Sequence, residues 1–192
     1  MTIETLEEVV ADIVTRLSDA ASNRKSAMHV PAVASADAQV RTMVLRDFDR
    51  EAMTLRFHSD ARSPKIGAFE RDPRCGVLFY DKEAKVQLRV RGTVRVERTG
   101  PIADKAWAES ANFARRCYLA PEAPGTPEDA PFANLPDDVR DEEPSDERLD
   151  AEARENFCVL LIRIDEVDWL YLAHDGHRRA RWGGASAQWL AV

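Results

Sequence analysis

The chain has 192 residues, 44% of them hydrophobic and 32% charged, which is ordinary globular composition at the length of one domain. A net charge of −7 argues against a nucleic-acid ligand, and no apolar run reaches the roughly 18 residues that a membrane helix needs. The charge is uneven: residues 128–155 carry −9, whereas residues 41–98 carry +5.

Residues 4–20 place Leu6, Val9, Val10, Ile13 and Leu17 at helical spacing. Thr5 with Glu8 three residues on makes a capping box, so an amphipathic helix is expected. From Met28 the period changes to two. Strands are expected at 28–34, 38–47 and 53–58, the last two joined by a polar turn from Asp47 to Glu51. A short helix over 62–71 ends before Asp72-Pro73. Strands follow at 74–81 and 84–98, the second interrupted by Gly92, which marks a bulge or corner.

Residues 102–118 read as a helix or helix pair. Residues 119–155 hold six of the ten prolines and the acidic block, and read as a long, partly disordered loop with a short helix near 145–155. Strand pattern returns at 157–173. Asp175-Gly176 signals a tight turn into a strand at 177–182, and the apolar end Trp189 to Val192 is expected to be tied down. Six to eight mostly antiparallel strands with flanking helices and a mid-strand glycine predict a mainly β chain, closed or nearly closed into a barrel. No Rossmann or P-loop glycine pattern occurs.

Three cysteines, Cys75, Cys117 and Cys158, stand far apart and form no C-x-x-C pair. Free thiols and an acidic N-terminus without a signal-peptide pattern suggest a cytoplasmic protein. Cys75 and Cys158 sit in apolar runs and are expected in the core, while Cys117 follows two arginines, which would lower its pKa. His174 and His177 flank a turn, but two ligands do not make a metal site, and none is expected.

The basic block carries the chemistry. Arg41 and Arg46 bracket one strand, and Arg62, Ser63 and Lys65 open a helix. A helix start presents free N–H groups and a positive dipole end, and with a hydroxyl, a guanidinium and an ammonium added it can cradle a phosphate. Taken alone, the same residues also fit a solvated helix start.

The order of features narrows this. R-T-M-V-L-R precedes a hairpin, then F-H-S-D-A-R-S-P-K, a helix ending in D-P-R, a strand F-Y-D and V-Q-L-R-V-R-G. The series resembles the pyridoxamine 5′-phosphate oxidase family of FMN-binding split barrels over roughly residues 28–100. It resumes at 157–182, where Trp169 is followed ten residues later by Arg179.

The resemblance implies FMN shared between two subunits of a homodimer. The strand Arg41, Thr42, Met43, Val44, Leu45 and Arg46 would lie along the flavin, with Arg41 reaching the phosphate. Phe57 and His58 match the pair that lines the isoalloxazine ring, and Lys65, with Arg62 and Ser63, matches the phosphate-binding group. Gln87 would bond the polar edge of the ring. Trp169 and Arg179 match residues contributed by the partner.

The family's substrate-phosphate residues are replaced here. Trp107 and Ala111 stand where a tyrosine and an arginine are expected, and Asp175 stands for an arginine, although His177 keeps the histidine position. A glutamine-serine pair expected around Ala120 to Pro124 is missing. The expected function is therefore that of an FMN-dependent oxidoreductase acting on a small molecule other than pyridoxamine phosphate, with Trp107 and His177 as candidate substrate contacts. The alternatives are a non-catalytic flavin-binding stress or sensor protein, the oxidase itself, and a split barrel that binds haem or a deazaflavin.

Overall fold

The computed structural model describes residues 3–174 and 176–192. Helix α1 (Leu6–Ser22) starts as its sequence dictates: the Thr5 side chain accepts from the Glu8 N–H, and the Glu8 carboxylate accepts from the Thr5 N–H. Its apolar stripe, Val9, Ile13, Leu17 and Ala20, is buried against the sheet.

Nine strands form one sheet: β1 (Ala32–Ser35), β2 (Val40–Thr42), β3 (Leu45–Asp49), β4 (Thr54–Asp60), β5 (Arg74–Asp81), β6 (Val86–Glu97), β7 (Phe157–Tyr171), β8 (Arg178–Gly183) and β9 (Ser186–Leu190). The path runs β2-β1-β5-β6-β7-β4-β3, with β8 and β9 continuing from β7, and all its pairs are antiparallel. The path's two end strands, β2 and β3, are successive pieces of one chain run. The Met43 N–H donates to the Pro31 carbonyl at 3.0 Å and the Leu45 N–H to the His29 carbonyl at 2.9 Å, which curls the sheet toward closure. This is the split-barrel fold that the sequence predicts, with flanking helices.

The structure corrects several boundaries. Residues 38–47 are two strands, because β2 pairs with β1 and β3 pairs with β4. The polar run Asp47 to Asp49 belongs to β3, and the turn falls after it, where Met53 takes φ 45°. The first expected strand begins only at Ala32. The end at Trp189 is a ninth strand, paired with β8. The Asp175 part of the tight-turn signal lies outside the described residues.

Gly92 is required where the sequence marks a corner. The β6–β7 register shifts between Arg91 and Gly92, and a Cβ on Gly92 would lie 2.5 Å from the Arg163 carbonyl oxygen. Backbone cannot give way as a flexible side chain can, so only glycine fits.

Strand β7 separates two cores. Cys158, Leu160 and Ile162 point into the barrel, whereas Phe157 and Val159 point to a second cluster with Trp107, Tyr118, Leu119, Val139 and Leu149. That cluster collects α3 (Pro101–Ala108), α4 (Asn112–Arg115), a 3-10 turn at Arg116–Leu119, another at Asp137–Val139, and α5 (Asp146–Glu152). The acidic segment is thus anchored by Val139 and Leu149, whose isolated apolar side chains carried no periodic signal.

Candidate functional site

Helix α2 (Pro64–Arg71) opens on Ser63 with Pro64 at its first position, where a missing N–H costs nothing. This start faces β2, the first residues of β3 and the end of β4. Across from them stands the segment running from Phe113 to Leu135. Together they enclose a cavity of about 890 Å³, within the range of small-molecule and cofactor sites.

Arg41, Arg46, Lys65 and Arg116 all line this cavity. Among the described residues none of the four has a carboxylate within ion-pairing distance. Asp60, the one carboxylate in the lining, is held by Arg62 at 2.8 Å. The Lys65 ammonium donates to Ser63 Oγ at 2.7 Å and Ser59 Oγ at 3.0 Å, and an Arg41 N–H donates to Ser35 Oγ at 3.1 Å. Burial first, and the nearby Arg41 charge second, lower the Lys65 pKa. Like charges this close, beside two hydroxyls, suit a phosphate group.

His58 lies on β4 at the same cavity, its ring edge-on to Phe157 with centroids 4.9 Å apart. Desolvation, helped by the Arg46 and Arg56 charges, pushes its pKa down to about 3, so the imidazole is neutral. Its Nε2 is buried without a protein hydrogen-bond partner.

Eight expected residues come together here: Arg41, Thr42, Met43, Val44, Arg46, His58, Ser63 and Lys65. Arg62 stands outside the cavity lining and acts as a brace in this structure. It grips both oxygens of Asp60 at 3.1 and 2.8 Å, and donates to the Ala120 carbonyl at 2.9 Å. Leu45 and Phe57 are fully buried core side chains on the opposite face of their strands.

Trp169 is corrected as well. Its indole is fully enclosed in its own chain, and its N–H donates to Asp12 at 2.8 Å, tying the barrel to α1, so it has no surface to offer a ligand in a partner. Arg179 pairs bidentately with Asp168, which also takes Arg89. Burial would raise the Asp168 pKa, but the hydrogen bonds from Arg179 and Arg89 win and lower it. Gln87 is half-buried on β6 opposite Tyr80 and Leu170, away from the cavity lining.

Trp107 is buried in the second core, its N–H donating to Asp150 at 2.6 Å, and it is no substrate contact. His177 is exposed beyond β7, outside the cavity, as is His174. No group of three or more metal-ligating side chains occurs among the described residues. Cys117 does reach the cavity, but desolvation outweighs the pull of Arg46 and Arg116 and its pKa is raised, the reverse of the sequence expectation. Cys75 and Cys158 are buried, each pushed up to about 12 by desolvation.

The cavity residues that sequence reasoning missed include Ser59 and Asp60 on β4 and, on the far wall, Phe113, Arg116, Tyr118, Asn134 and Leu135.

The barrel with this cationic cavity is an FMN-binding split barrel. Residues 10–98, just under half of the chain, match the family model described as pyridoxamine 5′-phosphate oxidase, FMN-binding domain. An Arabidopsis thaliana protein named pyridoxine/pyridoxamine 5′-phosphate oxidase 2 is 26% identical over 142 residues, covering 69% of this chain and 66% of that protein. The chain thus spans just under two thirds of that relative. A pyridoxamine 5′-phosphate oxidase-related, FMN-binding protein from Nostoc punctiforme superposes with a TM-score of 0.68 over all of both chains at 20% identity. PhzG from Burkholderia lata, solved with tetrahydrophenazine-1-carboxylic acid, gives 0.67 at 16% identity, over 99% of this chain and 98% of its own. These two likenesses define the fold. No helix among the described residues is long and apolar enough to cross a membrane.

Proposed function

We propose that the protein is an FMN-dependent oxidoreductase that acts on a small molecule other than pyridoxamine phosphate. The observation that carries this is the set of unpaired cations Arg41, Arg46 and Lys65 around the start of α2, inside the segment that matches the FMN-binding family. The residues fit the cofactor's phosphate. Lys65 and Arg41 would neutralise it, and Ser59 and Ser63, already bonded to the Lys65 ammonium, would share the contacts. Bound flavin would supply hydride or electron transfer.

The chain's part is to orient and tune. His58 would stand beside the bound ring system and stays uncharged across physiological pH. The backbone run from Thr42 to Val44 forms one wall, fixed by the Met43 and Leu45 hydrogen bonds to the segment before β1.

The same reading includes a homodimer. Val40, Leu78 and Tyr80 are 65, 42 and 45% exposed, and Val40 and Leu78 line one groove on the outer face of β1, β2 and β5. A dimer would cover these side chains.

The test is to load the purified chain with FMN, reduce it with NADH or NADPH under anaerobic conditions, and follow the flavin absorbance. Bleaching followed by reoxidation with an added acceptor is expected. A loaded chain that neither nicotinamide reduces, and that no acceptor reoxidises after chemical reduction, would make it a non-catalytic flavin binder. Sedimentation should give a dimer at micromolar concentration, and a monomer there would remove the dimer.

A further inference from the structure

Three of the four cavity cations, Arg41, Arg46 and Lys65, stand on the floor, and Arg116 stands on the opposite wall. A phosphate monoester carries close to two negative charges, so Arg41 and Lys65, beside the hydroxyls of Ser59 and Ser63, account for it. Arg116 is left with no anion.

Arg116 is built to hold one. One terminal nitrogen donates to the carbonyls of Val139 at 3.1 Å and Arg140 at 2.6 Å. Its guanidinium carbon stands 3.5 Å from the centroid of the Phe113 ring. The group is therefore fixed on one side and stacked on a face, while Nε and the other terminal nitrogen have no partner among the described residues. A planar guanidinium edge presented in this way matches a carboxylate bidentately.

Its neighbours select the rest of the ligand. Phe113 is 55% exposed, and Leu135 lines the cavity with it. The Asn134 amide is already spent, accepting from the Glu122 N–H and donating to the Glu122 carbonyl, each at 3.0 Å. In contrast to the Lys65 pole, no serine or threonine hydroxyl lines this end.

We infer that the Phe113–Arg116 wall is the substrate subsite of the proposed oxidoreductase and takes an aromatic carboxylic acid, its carboxylate on Arg116 and its ring against Phe113. The inference rests on the FMN reading for the flavin's place but not for the anion contact. It makes Arg116 a specificity-determining residue.

The test is calorimetric titration of the full chain, with and without FMN, using quinoline-2-carboxylate, its neutral carboxamide, and pyridoxal 5′-phosphate. The carboxylate should bind about tenfold or more tightly than the carboxamide, and Arg116→Gln should erase that preference, because a hydrogen-bonded charge pair contributes roughly that factor. FMN affinity of Arg116→Gln should stay at the parent value. Phe113→Leu should weaken both quinolines alike. Equal binding of acid and amide, no binding of either, or, on the FMN-loaded chain, tighter binding of pyridoxal 5′-phosphate than of the carboxylate would overturn the inference. So would a loss of FMN affinity in Arg116→Gln, which would assign Arg116 to the cofactor. If FMN itself fails to bind, the oxidoreductase reading falls, while the acid-over-amide ratio on the chain alone still decides the Arg116 assignment.

Discussion

The floor and the wall of the cavity are held by different means. The floor, from β2 to the start of α2, is fixed by strand ladders: β2 on β1, β3 on β4, and β4 on β7 through seven paired positions. The wall from Phe113 to Leu135 contains no strand and is held by side chains. Arg62 reaches Ala120, Asn156 donates to the Tyr118 carbonyl at 2.9 Å, and Asn134 clasps Glu122. Ladder contacts fix where the floor's cations stand, so those positions are costly to move. Side-chain ties can be cut singly, so the wall can vary in shape and chemistry while the floor keeps its ligand.

The contrast is broken most severely at the floor. Replacing Lys65 and Arg41 together by Ala should weaken FMN by roughly 100-fold or more, since two charge-assisted contacts are lost. Flavin fluorescence titration reads this, and parent-like affinity in the double variant would remove the phosphate site.

Gly92→Ala tests the barrel beneath it. The new Cβ would meet the Arg163 carbonyl, at an expected cost of about 1–3 kcal/mol in urea unfolding. An unchanged midpoint would show that the β6–β7 bulge opens freely.

Trp169→Phe separates scaffold from site. It removes the donor to buried Asp12 and should cost about 1–3 kcal/mol of stability. FMN affinity should not change, and a selective loss of FMN would return Trp169 to the site.

His58 gives a pH signature. Its folded pKa of about 3 lies below the ordinary histidine value, so the unfolded chain binds more protons between the two. This contribution to stability is complete above pH 6.5 and is lost as pH falls toward 3. Between pH 6.5 and 5 the loss is at most about 1.4 kcal/mol per pH unit. The urea midpoint of His58→Gln should fall less over that interval, and parallel slopes would place His58 in solvent.

The smallest effect belongs to the brace. Arg62→Ala frees Ala120 but leaves Lys65 in place, so FMN should dissociate only a few-fold faster. A loss matching that of the Lys65 and Arg41 pair would make Arg62 a phosphate ligand after all.

The barrel and the floor were legible in the sequence because their signals are local. Thr5 with Glu8 marks a cap, alternation marks β5 and β6, Gly92 marks the bulge, and the spacing from Arg41 to Lys65 carries the family pattern. Pairing across the sheet was not legible. Residues 38–47 look like one strand, and only their separate partners, β1 and β4, divide them. The ion pair of Arg62 turned on Asp60, two residues away, whose carboxylate takes two of its guanidinium nitrogens. Trp169 fitted the pattern by spacing, yet its partner Asp12 lies 157 residues earlier. The wall was hidden for the same reason: Val139 and Leu149 find their core only after folding, and they carry Phe113 and Arg116 to the cavity without any periodic signal.

The central claim is that the floor recognises a phosphate. Parallel titrations of the full chain with FMN and with riboflavin, which differ only in that group, test it most directly. FMN should bind roughly 100-fold or more tightly, as two charge-assisted contacts imply, and the ratio should shrink as salt rises. Equal affinity for the two flavins would contradict it.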